Sequence, residues 1–218
     1  MDNNQIIIGV DEAGRGPLFG DVYTSAVILP NDNEFDKSCL KDSKKFTSHK
    51  KISKVFDYIK ENAKYYSITY CNHEEIDKYN ILQATQKSMH KSIHNIIENI
   101  LKNEEITDKE EILNNIIIKV DGNYFNTFKY FYNEKFYIIK HETLVKGDDL
   151  CKEISAASIL AKVSRDNYIF EFIEKNPEYE EKYGLSKNKG YGTKQHRDGI
   201  KTYGYSPYHR KSFRLKSL

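Results

Sequence analysis

Tryptophan is absent from this chain of 218 residues, and cysteine, methionine and proline are scarce. Cys39, Cys71 and Cys151 are widely separated without paired metal-ligand spacing, which argues against a disulfide framework and for a reducing compartment. No apolar run is long enough to cross a membrane, and Met1-Asp2-Asn3-Asn4 lacks the basic start of a secretory signal. Internal repeats and low-complexity linkers are also missing. These absences predict a cytoplasmic globular protein with one main domain.

The formal net charge is only +2, because basic and acidic residues are nearly equal in number. It is unevenly distributed: residues 185–218 contain nine Lys or Arg and one Asp, whereas the rest contains 25 basic and 31 acidic residues. A basic segment beside an acidic body suits a contact with a phosphate backbone on one side and a metal-binding cluster elsewhere. The alternative is a solvated basic tail, although tyrosines interleave these charges.

Hydrophobic periodicity predicts strands alternating with helices. We expect strands over 5–10, 20–29, 65–70, 116–120 and 136–140, and helices over 47–62, 81–101 and 150–175. Thr47 is the candidate N-cap of the first helix. This order predicts an α/β fold with a mixed sheet covered by helices on both faces. Residues 1–175 would form the main domain, and residues 176–218 a basic, tyrosine-rich extension with short helices packed on it.

The segment Asp11-Glu12-Ala13-Gly14-Arg15-Gly16-Pro17 follows the first predicted strand directly. Carboxylates hold hard divalent cations, glycines allow backbone amides to approach a ligand, and arginine matches phosphate with a fork of donors. An acidic pair alone would more often be a solvated turn. The whole heptad instead predicts a metal site that faces a sugar-phosphate chain.

Two further carboxylates occur in the same context. Asp121 follows the apolar strand 116–120, and Asp148 follows a predicted strand and precedes the long small-residue helix. Each has an ordinary alternative, a turn for Asp121 and a helix cap for Asp148. Strand ends and helix starts meet at one edge of an α/β sheet. Four converging carboxylates would repel one another without cations between them, so we expect a site for two divalent ions that promotes phosphodiester hydrolysis.

Four blocks of sequence, in order, make the whole chain resemble the ribonuclease HII family of type 2 ribonucleases H. The first is Gly9 to Pro17, and the second is Leu40 to Lys45 with Asn80 to Thr85 further on. The third runs from Val120 to Asn123, then from Val145 to Asp148 and from Glu153 to Asp166. The fourth comprises Asn188 to Lys194 and Ser206 to Phe213. The resemblance implies a ribonuclease-H-like sheet.

The resemblance also implies an activity and a set of site residues. Asp11, Glu12, Asp121 and Asp148 would hold two Mg²⁺ or Mn²⁺ ions. The family hydrolyses the phosphodiester 5′ to a ribonucleotide in duplex nucleic acid and leaves 3′-hydroxyl and 5′-phosphate ends. The backbone of Gly14-Arg15-Gly16 would read the 2′-hydroxyl, the group that distinguishes RNA from DNA. Tyr191 would stack on the deoxyribose next to the ribonucleotide, which favours an RNA-to-DNA junction.

Some residues keep two interpretations. Lys44, Lys45, Lys162 and Arg165 are candidate phosphate contacts, with solvated charge as the alternative. His196 and His209 are candidate proton carriers, but we favour a structural role for both. Asp121 and Asp148 lie 27 positions apart, farther than expected for the family. The extra length falls in the aromatic segment 124–132, which would form an extended hairpin or loop. It could stack on nucleic acid, although tertiary packing is favoured.

The expected partners are RNA–DNA hybrids and DNA duplexes that contain ribonucleotides, acted on by a monomer. The C-terminal residues Arg214 to Leu218 do not resemble a sliding-clamp binding motif. Two other classes of protein remain as alternatives. One is a hybrid-binding protein without catalysis, against which the intact acidic quartet argues. The other is a DNA nuclease or resolvase on a related sheet, against which the Gly-Arg-Gly turn and the Lys-Gly-Tyr segment argue.

Overall fold

A computed structural model describes residues 5–31, 35–40, 43 and 46–213. The strands are β1 (Ile6–Ala13), β2 (Val22–Ile28), β3 (Tyr65–Cys71), β4 (Ile116–Asp121), β5 (Lys129–Tyr132), β6 (Lys135–Ile138) and β7 (Lys140–Leu144). The helices are α1 (His49–Asn62), α2 (His73–Leu101), α3 (Lys109–Asn115), α4 (Gly147–Leu150), α5 (Lys152–Lys175), α6 (Glu178–Tyr183), α7 (Leu185–Asn188) and α8 (Lys194–Tyr203). Within these residues, no helix is long and apolar enough to span a membrane.

Five strands form a mixed sheet in the order β3-β2-β1-β4-β7. β2 is antiparallel to both β1 and β3, whereas β4 is parallel to both β1 and β7. The carboxyl ends of the three parallel strands therefore lie at one edge. The mixed sheet with helices on both faces confirms the expected fold class.

Each face of the sheet carries its own apolar core. On one face, isoleucines of α2 pack on alternate residues of β1, β2 and β4. On the other face, α5 packs with α1 over Val27 and Leu29. α5 approaches closely because its middle is rich in alanine and because β1 has Gly9. A Cβ on Gly9 would lie 2.1 Å from the backbone carbon of Glu153, so a side chain there would push the helix away.

Helix α2 begins eight residues earlier than the periodicity indicated. Asn72 accepts a bond from the backbone N–H of Glu75, whose side chain accepts from the N–H of Asn72, forming a capping box. Asn80 interrupts the helix with φ 65°, and its side chain caps the next segment at Gln83. The expected start at Ile81 is thus the start of the second segment only. The polar first segment carries too little periodicity to have been recognised.

Two other boundaries differ from the expectations, and one helix was not expected. The N-cap of α1 is Ser48 rather than Thr47. The charged stretch 103–111 contains the start of α3, which Asp108 caps by accepting from the N–H of Glu111. The strand expected over 136–140 is divided between β6, which pairs only with β5, and β7, which joins the main sheet. A continuous run of apolar and aromatic residues could not show where the chain changes sheets.

The aromatic segment 124–132 forms β5, the first strand of the β5–β6 hairpin, and the loop that leads to it. Phe125, Phe128 and Tyr130 are buried against the core beneath α2. His90 and His94 of α2 contact these rings, and the hydroxyl of Tyr130 donates to Glu98. Most of the segment therefore has the tertiary packing role that was favoured.

Residues 176–213 pack on the far half of α5. Their apolar side chains join Leu18, Phe19 and Ile169 in a third cluster. The backbone N–H of Arg210 donates to the carbonyl of Leu18, and the N–H of Gly20 donates to the carbonyl of Tyr208. The extension thus meets the loop between β1 and β2. The division at residue 175 stays a prediction.

Candidate active site

The register of β1 and β4 brings the first carboxylates together. Val10 lies opposite Val120 in this parallel pair. Asp11 and Asp121 come next and lie side by side at the carboxyl edge of the sheet. Glu12 is one position further along β1. Two strands that are distant in the chain therefore contribute three adjacent acidic groups.

Asp148 reaches this edge through the next strand. Asp121 lies opposite Leu144, the last residue of β7. Lys146 then turns the chain with φ 59°, and α4 begins at Gly147. The N–H of Gly147 donates a 2.7 Å hydrogen bond to Oδ1 of Asp121. Asp148 thus follows directly on the residue that orients Asp121.

One cleft, with a volume of about 340 Å³, collects the predicted site. It is lined by Asp11, Glu12, Gly14, Arg15, Gly16, Asp121, Asp148, Lys162, Arg165 and Tyr191. Lys44 and Lys45 lie outside the described residues. Ser43, which directly precedes them, lines the cleft, and its hydroxyl lies 3.2 Å from that of Ser158 on α5.

Asp11 is the most deeply buried carboxylate of the quartet that the structure characterises, with 5% of its surface exposed. Burial raises its pKa well above the ordinary range, and the adjacent Glu12 and Asp121 raise it further. A bond from Ser158 and one from the N–H of Glu12, at 2.7 Å, act in the opposite direction. The site therefore disfavours a negative charge on Asp11 until a positive charge is added.

The donor set suits divalent cations. Carboxylate oxygens are the ligands that Mg²⁺ and Mn²⁺ prefer, and Asp11, Glu12, Asp121 and Asp148 supply them in one cleft. A cation between them would offset the repulsion that raises the pKa of Asp11. Over the part of the chain that is described, no three His, Cys, Asp or Glu side chains converge closely enough to form a metal-binding group. Metal binding at the quartet accordingly stays a prediction, supported by charge and placement.

Arg210 holds the loop that follows Glu12. Its buried guanidinium donates to the carbonyl oxygens of Gly14 (2.7 Å), Arg15 (3.0 Å), Pro17 (2.8 Å) and Gly20 (2.7 Å). Burial and the nearby Arg165 lower the pKa of Arg210 to about 9. A single side chain from the extension thus fixes the shape of the Gly-Arg-Gly turn. No role was expected for Arg210, because nothing local to residue 210 shows which carbonyls it contacts.

Arg165 supports the same loop from α5. It is only 2% exposed, and it donates to the carbonyls of Phe19, Asp21 and Lys189. Gly14, at φ 93°, accommodates it, because a Cβ there would lie 2.1 Å from its Nε. These bonds give Arg165 a structural role in addition to its place in the cleft. Its predicted phosphate contact stays a prediction.

Tyr191 forms one wall of the cleft and is about half exposed. A Cβ on Gly16 would lie 3.3 Å from its ring, so the tyrosine and the Gly-Arg-Gly turn are neighbours. The guanidinium of Arg165 lies 5.9 Å from the ring centroid. The expected stacking surface is therefore present beside the turn, although its role in substrate recognition stays a prediction.

Two buried histidines fix the backbone of Tyr191. Nδ1 of His196 lies 3.0 Å from the Tyr191 carbonyl, and its Nε2 lies 2.9 Å from Nε2 of His209. Nδ1 of His209 accepts from the N–H of Ser206 at 2.9 Å. Since a carbonyl only accepts and an N–H only donates, His196 is protonated on Nδ1 and His209 on Nε2. Both are neutral and fully buried, in agreement with the favoured structural role.

The remaining basic residues of the cleft are partly engaged within the protein. Lys162 forms an ion pair with Asp166 one turn further along α5. Lys189, which was noted only as context for Tyr191, also lines the cleft and lies 3.4 Å from the Phe170 ring centroid. A phosphate contact by Lys162 stays a prediction. Ser43, Ser158 and Asp166 were not expected in the site, because their types carry no specific signal.

An α/β fold with an acidic cleft at the carboxyl edge of a mixed sheet is the arrangement of a ribonuclease-H-like protein, and solved structures of that class share the fold. The family model for ribonuclease HII matches residues 8–216. Ribonuclease HII of Francisella tularensis subsp. mediasiatica is 43% identical over 209 residues, covering 96% of this chain and 95% of that protein. The chain belongs to the ribonuclease HII family. It is therefore an endoribonuclease that cleaves RNA in RNA–DNA hybrids.

Solved structures share the fold at low sequence identity. The ribonuclease H2 of Pyrococcus horikoshii superimposes with a TM-score of 0.69 at 21% identity, covering 96% of this chain and 94% of its own. The Archaeoglobus fulgidus ribonuclease HII, solved in complex with PCNA, gives 0.67 at 19%, covering 98% and 97%. The ribonuclease HIII known as Bst-RNase HIII, solved with Mn²⁺, gives 0.60 at 18%, covering 96% and 67%.

Proposed function

We propose that the chain cleaves on the 5′ side of ribonucleotides embedded in duplex DNA, in addition to the RNA strand of hybrids. Cleavage would use two divalent cations and leave 3′-hydroxyl and 5′-phosphate ends. The observation that carries the proposal is the presence, in one cleft, of the acidic quartet, the Gly-Arg-Gly turn and Tyr191. In the cell, this activity would serve ribonucleotide removal and primer processing.

The residues of the cleft divide the work. Asp11, Glu12, Asp121 and Asp148 would hold Mg²⁺ or Mn²⁺. When bound, a pair of such ions activates water for in-line attack and stabilises the departing oxygen. The Gly147 N–H holds the Asp121 carboxylate in place before any ligand arrives. Such preorganisation lowers the cost of orienting groups in the transition state.

Recognition would come from two neighbouring features, the Gly14–Gly16 turn and the ring of Tyr191. The backbone of Gly14, Arg15 and Gly16 would contact the 2′-hydroxyl, and Tyr191 would pack against the deoxyribose that follows the ribonucleotide. Arg210 and Arg165 keep the turn in one conformation. The two histidines hold the Tyr191 backbone. A rigid reader of this kind loses little conformational freedom on binding. We propose that the protein acts as a monomer without a sliding clamp, although residues 214–218 lie outside the described structure.

The decisive experiment uses three labelled duplexes: DNA with one ribonucleotide, all DNA, and a long RNA–DNA hybrid. Each is incubated with Mg²⁺, with Mn²⁺ and with chelator. We expect metal-dependent cutting 5′ to the single ribonucleotide while the all-DNA duplex stays intact. Cutting the long hybrid alone would remove the role assigned to Tyr191. Tight binding without cutting would favour a non-catalytic hybrid binder, and cutting the all-DNA duplex would favour a DNA nuclease.

A further inference from the structure

A second cleft adjoins the first on the α2 side of the sheet. Its volume is about 260 Å³, and it shares Glu12, Arg15 and Asp121 with the catalytic cleft. Leu82 and Met89 of α2 give it an apolar floor, and Tyr124 forms its outer wall. The carboxylates therefore lie between two openings, one bordered by Tyr191 and the other by Tyr124.

Tyr124 is exposed but anchored. About half of its surface is accessible, yet its hydroxyl donates a 2.6 Å bond to Oδ1 of Asn126. The N–H of Asn126 donates at 2.8 Å to Oε1 of Gln86, a glutamine of α2 that is only 4% exposed. A buried polar side chain thus fixes the loop that presents this ring. An exposed aromatic ring that is already ordered can bind a planar or sugar surface with little loss of entropy.

The order of these features gives the second cleft a place on the substrate. Tyr191 would contact the deoxyribose after the ribonucleotide, and the scissile phosphate, on the 5′ side of the ribonucleotide, would lie at the carboxylates. A nucleic-acid strand that continues in the same direction would pass Glu12 and Asp121 and enter the cleft of Tyr124. Arg15, half exposed and 3.2 Å from Glu12, lines both openings.

We propose that Tyr124 and the cleft beside it bind the nucleoside that precedes the scissile phosphate. The ring packs against the sugar or base of that nucleoside, so the two tyrosines grip the strand on either side of the cut. This inference rests on the proposed function. It also gives Tyr124 a purpose that the packing of the neighbouring rings does not explain, since Phe125 and Phe128 point into the core whereas Tyr124 does not.

The two reaction products distinguish binding at Tyr124 from binding at Tyr191. The upstream product, a duplex whose cut strand ends in a 3′-hydroxyl, would occupy the cleft of Tyr124. The downstream product, whose cut strand begins with a 5′-phosphorylated ribonucleotide, would occupy that of Tyr191. Each is tested as a competitive inhibitor of single-ribonucleotide cleavage in Mg²⁺. We expect Tyr124→Ala to weaken inhibition by the upstream product about tenfold, as for loss of one stacking contact, and to leave the downstream product within about twofold.

Three variants serve as controls. Tyr191→Ala should weaken the downstream product selectively. Tyr124→Phe keeps the ring but loses its bond to Asn126, so inhibition by the upstream product should weaken less than in Tyr124→Ala and inhibition by the downstream product should not change. Tyr203→Ala removes another exposed tyrosine, on α8, and should change neither inhibition constant. An upstream product that lacks its terminal base distinguishes the two contacts: the Tyr124→Ala effect persists if the ring packs on the sugar and disappears if it packs on the base.

The outcomes for this site and for the proposed function are distinguishable. If the wild-type protein does not cut the single-ribonucleotide duplex, the proposed function fails before any variant is examined. If it cuts, and Tyr124→Ala weakens both products equally or neither, the function stands and the assignment of Tyr124 is overturned.

Discussion

Two sides of the candidate cleft treat their charges in opposite ways. The acidic wall consists of Asp11, Glu12, Asp121 and Asp148, and the basic wall is the loop from Gly14 to Gly20 with the buried Arg165 and Arg210 that hold it. On the acidic wall, burial raises the pKa of Asp11, and the like charges of Glu12 and Asp121 raise it further. On the basic wall, Arg210 is buried as well, but its guanidinium donates to four backbone carbonyls. The acidic wall would need a cation from outside the protein to offset its like charges, whereas the carbonyl bonds of Arg210 satisfy the basic wall from within.

This difference separates the residues expected to take part in the reaction from those that hold the site in shape. Buried charges persist only where partners are provided, and Arg210 has its partners before substrate arrives. Variants of the acidic wall should therefore change turnover far more than stability. Variants of the basic wall should do the reverse.

Asp121→Asn is the strongest test of the acidic wall. The amide keeps an oxygen that can accept from the Gly147 N–H but removes a negative charge from the quartet. We expect kcat to fall by about a thousandfold or more, which corresponds to about 4 kcal/mol of transition-state stabilisation. Hybrid binding and the thermal midpoint in chelator should be retained. Single-turnover cleavage and filter binding measure these quantities.

Asp198→Asn is the matched control. Asp198 is an exposed carboxylate of α8 paired with Lys194, so its loss should leave kcat unchanged. Unchanged turnover in Asp121→Asn would remove Asp121 from the reaction and with it the contrast between the walls.

Arg210→Ala tests the basic wall. It leaves the carbonyls of Gly14, Arg15, Pro17 and Gly20 without their donor, so we expect the free energy of unfolding to fall by about 3 kcal/mol. Urea denaturation with and without Mg²⁺ measures it. Arg197→Ala, which removes an exposed arginine bonded to one carbonyl, should cost less than about 0.5 kcal/mol. An equal loss from both variants would mean that the buried fork contributes nothing special.

The acidic wall was open to prediction from sequence, and the basic wall was not. Asp11 lies near the carboxyl end of β1, which continues to Ala13, and Asp121 is the last residue of β4. The carboxyl ends of parallel strands converge by the geometry of the sheet, so local patterns sufficed. Arg210 acts on carbonyls nearly two hundred residues away in the chain. No local pattern encodes such a contact, because any buried carbonyl can accept from any donor that the fold delivers.

The same reasoning explains the errors along the chain. The start of α2 was missed because its polar first segment carries too little periodicity, and Asn80 separates that segment from the apolar remainder of the helix. The change of sheets after Ile138 was missed because β-forming residues continue through it. Tyr124 could not be separated from its buried aromatic neighbours, since burial depends on which ring the α2 surface covers.

The histidine pair makes the basic wall sensitive to acid. Burial, together with His196, lowers the pKa of His209 to about 3, below its ordinary value of 6.5. His209 stays neutral in the folded chain but takes up a proton in the unfolded chain below that ordinary value. Its contribution to stability is complete above about pH 6.5 and is lost as the pH falls toward 3, at about 1.4 kcal/mol per pH unit.

His209→Gln should remove this part of the pH dependence. Unfolding free energies of wild type and variant, measured between pH 7 and pH 5, give the difference in slope. Carboxylates titrate in both proteins, so only the difference between them reports on His209. Parallel curves would mean that His209 is not the neutral, buried link that its contacts describe.

Tyr191 lines the cleft together with residues of both walls. Of the variants considered, Tyr191→Ala has the smallest expected effect. The ring is exposed and its backbone is held by His196, so its loss should cost little stability. We expect kcat/KM on the single-ribonucleotide duplex to fall about tenfold, the size of one stacking contact. The long hybrid should lose less, because a deoxyribose follows the ribonucleotide only at a junction. Comparison of the two substrates in one assay measures this preference. An equal loss on both would make Tyr191 a general contact of the cleft, and junction recognition would then rest on the Gly14–Gly16 turn alone.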